Sequence, residues 1–284
     1  MRRGDHQSGG FRFANATRRA LQINLAFFRF GWLMLVSYPL AFMSQQMWAI
    51  LQVFIYFFVS RLVEGTAAVG GDYYTFVIIG IVALQLLDGT LKAFGQTLDG
   101  EMQEGRLEAL LVEPIPWRLL PFGIVQFYLL WKGIVATMSV AIALALGARF
   151  QLLGLPATLL ILALGMAATL AIGILGASVK VLSKRSDPLL TFYAMGTMIF
   201  SGVYFPVQSL PAWIRPLSYA VPETYVIAAI RKLLMPGGST LSGVEPREAI
   251  FALVVFCLVL YPVSLWLYGR SMEYARKLGL LAGY

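Results

Sequence analysis

The 284-residue sequence contains one cysteine and one histidine. A lone thiol, Cys257, inside an apolar run excludes a disulfide within the chain and a thiolate metal cluster, and is expected to be a core thiol. His6 stands near the start, and no His/Cys/acid cluster has metal-ligand spacing, so no metal site is expected. The Gly-x-x-x-x-Gly-Lys-Ser/Thr phosphate loop of nucleotide hydrolases is also missing. Charge is scarce: 13% of residues are charged against 59% hydrophobic, with a mean hydropathy of +0.75. That is more apolar surface than a soluble core of this size can hide, so lipid must be the solvent. Ten-residue alternating segments are lacking, which argues against a β-barrel.

What is present is a series of apolar runs near the roughly 20 residues that a helix needs to cross a bilayer core of about 30 Å. The expected crossings are Ala41 to Ser60, Tyr73 to about Leu91, Leu119 to Leu146, Pro156 to about Val181, Leu189 to about Tyr204, and Ala249 to Gly269. The second helix can continue past Lys92, and the fifth is short for a full span. Upstream, Thr17 to Ser37 mixes Arg18, Arg19, Gln22 and Arg29 with Leu21, Leu25, Phe28 and Trp32, a pattern that suits a helix lying in the headgroup plane. The apolar segment after the basic N-terminus is too long for a signal-peptide core and has no small-residue cleavage site, so it reads as retained. The expected fold class is an all-α polytopic membrane protein with six transmembrane helices, an N-terminal interfacial helix and short re-entrant helices before the last span. Residues 1–40 form the N-terminus and interfacial helix, 41–270 the transmembrane domain and 271–284 a cytoplasmic tail.

The net charge of +8 does not point to nucleic acid, because the cations are scattered between spans instead of clustering with aromatics on one polar face. With the N-terminus inside, most of the 22 basic residues fall on the inner side. A minority, Arg61, Arg149, Arg215, Arg231, Lys232 and Arg247, fall outside. The bias supports both termini in the cytoplasm and a location in the inner membrane. The fourth span holds Gly165, Ala167, Ala168, Gly173, Gly176 and Ala177, small residues that let helices approach closely, so it should be central. A lone six-helix chain must bury that face, and a dimer seam is one natural place.

Two segments stand apart. The first internal loop, about 101–116, is dense in acid (Asp99, Glu101, Glu104, Glu108, Glu113), against the positive-inside trend. Leu107, Leu110 and Leu111 recur there at offsets of three and four, giving a short amphipathic helix stopped by Pro114 and Pro116. Such a helix can seat its leucines in a groove on a soluble partner and fix the register with rim charges; a solvated turn is the plainer alternative. The outer segment, about 201–235, is apolar yet broken by Pro206, Pro211, Pro216 and Pro222. Irregular backbone at membrane depth survives only when buried in protein or facing water, which two short re-entrant helices, about Pro211 to Tyr219 and Glu223 to Leu234, would satisfy. They serve either as an external gate formed around Phe205, Pro206, Trp213, Pro222 and Tyr225, or as an interfacial cap with Trp213, Tyr219 and Tyr225 as anchors.

These two segments carry a resemblance. Glu104-Gly-Arg-Leu-Glu-Ala-Leu-Leu-Val-Glu-Pro114, together with Ser201-Gly-Val-Tyr-Phe-Pro206, Leu210-Pro-Ala-Trp-Ile-Arg-Pro216 and Pro222-Glu-Thr-Tyr225, resembles the ABC-2 family of exporter permeases, the group of drug, nodulation-factor and polysaccharide exporters. The first stretch is similar to that family's coupling helix, and the others to its signature after the fifth span. The resemblance implies a transport subunit without its own ATPase site, pairing with two copies of a nucleotide-binding subunit and with a second permease, identical or homologous. No cofactor would bind this chain; ATP and Mg would sit on the partner. Coupling would run through Glu101, Glu104, Gly105, Arg106, Leu107, Glu108, Leu111 and Pro114, with Glu101 and Glu104 meeting basic residues of the ATPase. Lys184, Arg185 and Asp187 offer a secondary cytoplasmic contact, or else orient the loop, with Asp187 capping a helix.

Ionisable groups inside spans are functional suspects by default. Asp88 and Lys92 stand one turn apart, where an i, i+4 pair offsets both charges; a structural ion pair is the simpler reading. Lys132 in the third span either snorkels or finds a carboxylate. A cargo with a lipid or long apolar part suits spans with so few polar groups. The rival classes are an integral-membrane lipid-modifying enzyme, which needs paired acids, a histidine or a metal set, and an ion-coupled transporter, which needs ionisable residues near mid-membrane.

Overall fold

In hydrocarbon every backbone N–H and C=O must find its partner within the protein, so the apolar runs fold as helices. The computed structural model describes residues 29, 32–33, 36–37, 39–63, 72–103, 120–183, 188–236 and 243–277. Among them are eight α-helices: α1 (Pro39–Val63), α2 (Tyr73–Gln103), α3 (Leu120–Ala145), α4 (Leu155–Ser183), α5 (Pro188–Phe200), α6 (Arg215–Tyr219), α7 (Pro222–Leu234) and α8 (Pro246–Lys277). Single 3-10 turns lie at Leu152–Gly154 and Val207–Ser209, and no strand occurs among the described residues.

Three stretches, Tyr73–Gln96, Leu152–Val181 and Pro246–Ala275, are long and apolar enough to cross a bilayer, and Met47–Leu62, Leu129–Ala145 and Leu189–Phe200 are shorter apolar helices. The chain is an all-helical polytopic membrane protein. Its outer faces are oily: Trp48, Phe58, Leu159, Phe192, Phe251, Leu258 and Trp266 are exposed, as lipid-facing side chains should be. Of the expected interfacial helix, only isolated positions are described, and Trp32, Leu33 and Val36 among them are exposed.

Three boundaries differ from the sequence-based expectation. As α5, the fifth helix stops at Phe200 rather than Tyr204, because Gly202 takes a left-handed φ of 76° that ends the helix. Its 13 residues measure about 20 Å, less than the roughly 30 Å of the hydrocarbon core. The first re-entrant helix begins at Arg215 rather than Pro211: residues 211–214 form a turn, with the Ile214 amide donating to Pro211 O at 3.0 Å. Pro216 carries no N–H and so belongs to a helix's first turn, which sets that start. The last helix does not end at Gly269 ahead of a tail. It continues to Lys277, and Tyr268, Met272 and Ala275 are buried with Ala93, Phe94, Ala177 and Val181 of α2 and α4.

The fourth span is central, as its small residues require: α4 packs against α8, α2 and α7. Those residues do not form a seam for a second chain. A Cβ at Gly165 would collide with Val226 of α7, one at Gly173 with the Leu91 carbonyl of α2, and one at Gly176 with Leu190 of α5. All three glycines are thus filled by neighbours within this chain, on α7, α2 and α5. Cys257 is half-buried on α8, with its Sγ 3.6 Å from Leu164 O of α4.

Candidate functional site

The proline-broken segment after α5 folds back into the bundle. Past Gly202 the chain makes the 3-10 turn Val207–Ser209, then α6, then α7, whose side chains Val226, Ile227 and Ile230 join the main core with Phe76, Leu84 and Leu87 of α2 and Ile161 of α4. The opening of α7 follows from its sequence. Val221 is extended, Pro222 fills the first-turn position where no amide is needed, and Glu223 sets a carboxylate against the positive end of the helix dipole. Arg231 and Lys232 occupy the last turn, matching the negative end.

Two ionisable side chains pin this hairpin from within. Glu223 is 2% exposed, and the Tyr193 hydroxyl of α5 donates to its two carboxylate oxygens at 2.8 and 3.1 Å. Arg231 is 5% exposed. Its Nε donates to Phe76 O of α2 at 3.0 Å, its Nη1 to Gly202 O at 2.6 Å and its Nη2 to Val203 O at 2.5 Å. The guanidinium carbon also lies 3.5 Å from the Phe76 ring centroid, a cation–π contact. Gly202 and Val203 lie in the irregular stretch just past α5, where no helical amide follows to serve their carbonyls, and the arginine supplies the donors instead. Gly80 of α2 makes the room: a Cβ there would stand 2.5 Å from Arg231 Nη2 and 2.8 Å from Val203 O.

Secondary contacts tie down the rest. Thr224 Oγ1 donates to Phe200 O at 3.4 Å, Tyr225 Oη to Tyr219 O at 3.0 Å, and Arg215 Nη2 to Gln208 O at 2.9 Å and Leu210 O at 3.1 Å. The Tyr204 ring stacks on Tyr56 of α1 with centroids 5.3 Å apart. Behind the hairpin a small cavity, lined by Arg231, Ser201, Thr224, Gln208 and Pro206, has room for about two waters.

The residues proposed from sequence for the outer gate are divided by this arrangement. Pro222 is buried at the start of α7, while Phe205, Pro206 and Tyr225 are half-buried around the turn. Trp213 is 77% exposed and stands apart from the pinned core, a position that fits an interfacial anchor. The coupling residues Glu104, Gly105, Arg106, Leu107, Glu108, Leu111 and Pro114 lie outside the described residues, as do Lys184, Arg185 and Asp187; Glu101 belongs to the last turn of α2. Sequence reasoning missed Glu223 and Arg231 as site residues and counted Arg231 among outward-facing charges. The available signal was their position: both fall on the half of α7 that carries Ile227 and Ile230, where a solvated charge has no place.

No curated protein matches the sequence. Residues 40–235 match the family model of the ABC-2 type transporter, a match that opens in the first turn of α1, closes just past α7 and takes in the re-entrant hairpin. With most of its length so matched, the chain belongs to the ABC-2 type transporter family.

Proposed function

We propose that the chain is the membrane-spanning permease subunit of an ATP-driven exporter, moving a lipid-like, drug-like or glycan substrate outward while a separate subunit hydrolyses ATP. The observation that carries this reading is the hairpin of α6 and α7, pinned by Arg231 and Glu223 within the region matched to the family. A hairpin anchored to both α2 and α5 is coupled to shifts of those helices, which is what a gate requires. Two nucleotide-binding subunits, with ATP and Mg on them, and a second permease complete the assembly. Six crossings, with both termini in the cytoplasm of a cell with an inner membrane, put the loop between α2 and α3 on the motor side and the hairpin outside.

The test is co-purification with a candidate ATPase, followed by reconstitution and assay of hydrolysis and transport. Glu104→Ala combined with Leu107→Ala is expected to uncouple hydrolysis from transport or to dissociate the complex. Full assembly and coupled transport in the double variant would sink the mechanism. An ion-coupled transporter, for which Glu223 supplies a buried acid, would instead move cargo in vesicles holding an ion gradient and no ATP.

A further inference from the structure

The cavity behind the hairpin is bordered by a buried charge that no described acid balances. Arg231 lines it, together with Phe76, whose ring lies under the guanidinium, and Ser201, which precedes the acceptor Gly202. The charged head, and not the stem alone, therefore stands at the cavity wall. A guanidinium carries five N–H donors, and the carbonyls of Phe76, Gly202 and Val203 engage one on each nitrogen. Two N–H groups remain on a side chain that is 5% exposed, which costs free energy unless an acceptor meets them. No carboxylate pairs with Arg231 among the described residues. Glu223, the acid of α7, turns to Tyr193 of α5 and does not line the cavity. Arg215 donates to the Gln208 carbonyl at the cavity's edge and has no described carboxylate either, so the surroundings are positive.

The remaining walls supply donors and leave a way in. Thr224 is 1% exposed, and its hydroxyl reaches Phe200 O only at 3.4 Å. That is long for an O–H donor, so the proton is free to turn toward an occupant. Gln208 Nε2 lies close to Gly243, 3.2 Å from where a Cβ would stand, and engages no described acceptor. The Ser201 hydroxyl is committed to Thr197 O. Gln208 is exposed and Tyr219 is 41% exposed, and both line the cavity, which opens it to the surface. Its volume of about 30 Å³ takes either two waters or one small monovalent ion. Water would meet the two N–H groups and leave the charge unbalanced; an anion of that size does both.

We infer that this cavity binds a halide ion. Arg231 supplies the charge and two N–H donors, Thr224 a hydroxyl, and Gln208 an amide at the mouth. The ion ties α7 to the turn after α5. That this tie steadies a gate rests on the exporter reading above; the binding does not.

The test uses the full-length chain in detergent, with gluconate, which is too large for the cavity, as the balancing anion at constant ionic strength. Chloride is titrated in and followed by the chlorine NMR linewidth and by thermal unfolding. The wild type is expected to broaden the chloride line, to lose that broadening to bromide, and to melt about 2–4 °C higher in saturating chloride than in gluconate. Thr224→Val, which keeps the shape and removes the hydroxyl, should weaken chloride binding about tenfold. Ala228→Val, which fills the cavity from the α7 wall, should abolish it. Cooperative unfolding in gluconate checks the fold of both variants. No broadening in the wild type means that the cavity holds water only, and overturns the proposal. Broadening that survives in both variants places the ion elsewhere and overturns it too. Binding is read on the permease alone: failure to assemble with an ATPase removes the exporter reading and leaves the site, while absent binding removes the site and leaves the exporter.

Discussion

The hydroxyl of Tyr193, half way along α5, donates to both carboxylate oxygens of Glu223 at the first turn of α7. This is a link between a helix of the bundle and the hairpin that turns back into it. Hydrogen bonds to charged groups contribute about 1.5–3 kcal/mol, and a buried acceptor left unsatisfied costs a similar amount. Tyr193→Phe should therefore lower stability by about 1–3 kcal/mol, read as an earlier thermal transition in detergent. Glu223→Gln, which keeps an acceptor for the phenol, should cost less. Equal losses in the two variants would show that the hydroxyl contributes nothing specific.

Close helix packing makes a sharper prediction, because two glycines on neighbouring helices differ only in what surrounds them. A Cβ at Gly80 would meet Arg231 and the Val203 carbonyl, while one at Gly133 of α3 meets nothing within 4 Å. Gly80→Ala should destabilise by about 1–3 kcal/mol through overpacking. Gly133→Ala should be neutral or stabilise by up to about 1 kcal/mol through helix propensity. Parallel melting curves of the two variants decide the matter, and similar shifts would contradict the packing described for α2.

Lys232 in the last turn of α7 pairs with Glu245 just ahead of α8, and the Glu245 side chain is 59% exposed. Surface ion pairs of this kind are worth about 0–1 kcal/mol and weaken with salt. Lys232→Ala should leave the melting curve within about 1 kcal/mol of wild type, and any small loss should vanish in high salt. A larger, salt-independent loss would mean that Lys232 holds the hairpin in the way its neighbour does.

The apolar runs marked the helices of the bundle well, because in lipid a run of that length has few other folds available. The prolines at 206, 211, 216 and 222 likewise showed that the segment before the last helix could not be straight. What the sequence hid was direction. The one hint that Glu223 and Arg231 point inward is the side of α7 they share with Ile227 and Ile230; counted only by its place between two spans, an arginine between Ile230 and Lys232 looked like an outer charge. The same blindness affected Gly165, Gly173 and Gly176: small residues announce a close neighbour but not whether it belongs to the same chain, and here it is α7, α2 and α5. Gly202 hid its effect too, since a left-handed turn is a property of one φ angle and not of composition.

Arg231 supports the strongest prediction of this set. Its guanidinium satisfies one carbonyl of α2 and two carbonyls beyond α5, while lying over the Phe76 ring. A planar fork with donors on three nitrogens can serve all of these at once; an ammonium, a compact charge on a flexible stem, cannot. Arg231→Lys should therefore fail to rescue, leaving carbonyls unpaired at about 1–3 kcal/mol each and a buried charge in poor geometry. Arg231→Met removes the charge but also the donors, so it should be destabilised by a comparable amount, not restored. The measurement is the melting temperature and the yield of folded protein for both variants beside Lys232→Ala. If Arg231→Lys behaves like the wild type, the three-carbonyl clasp does not hold the hairpin, and the gate must be secured by Glu223 and core packing alone.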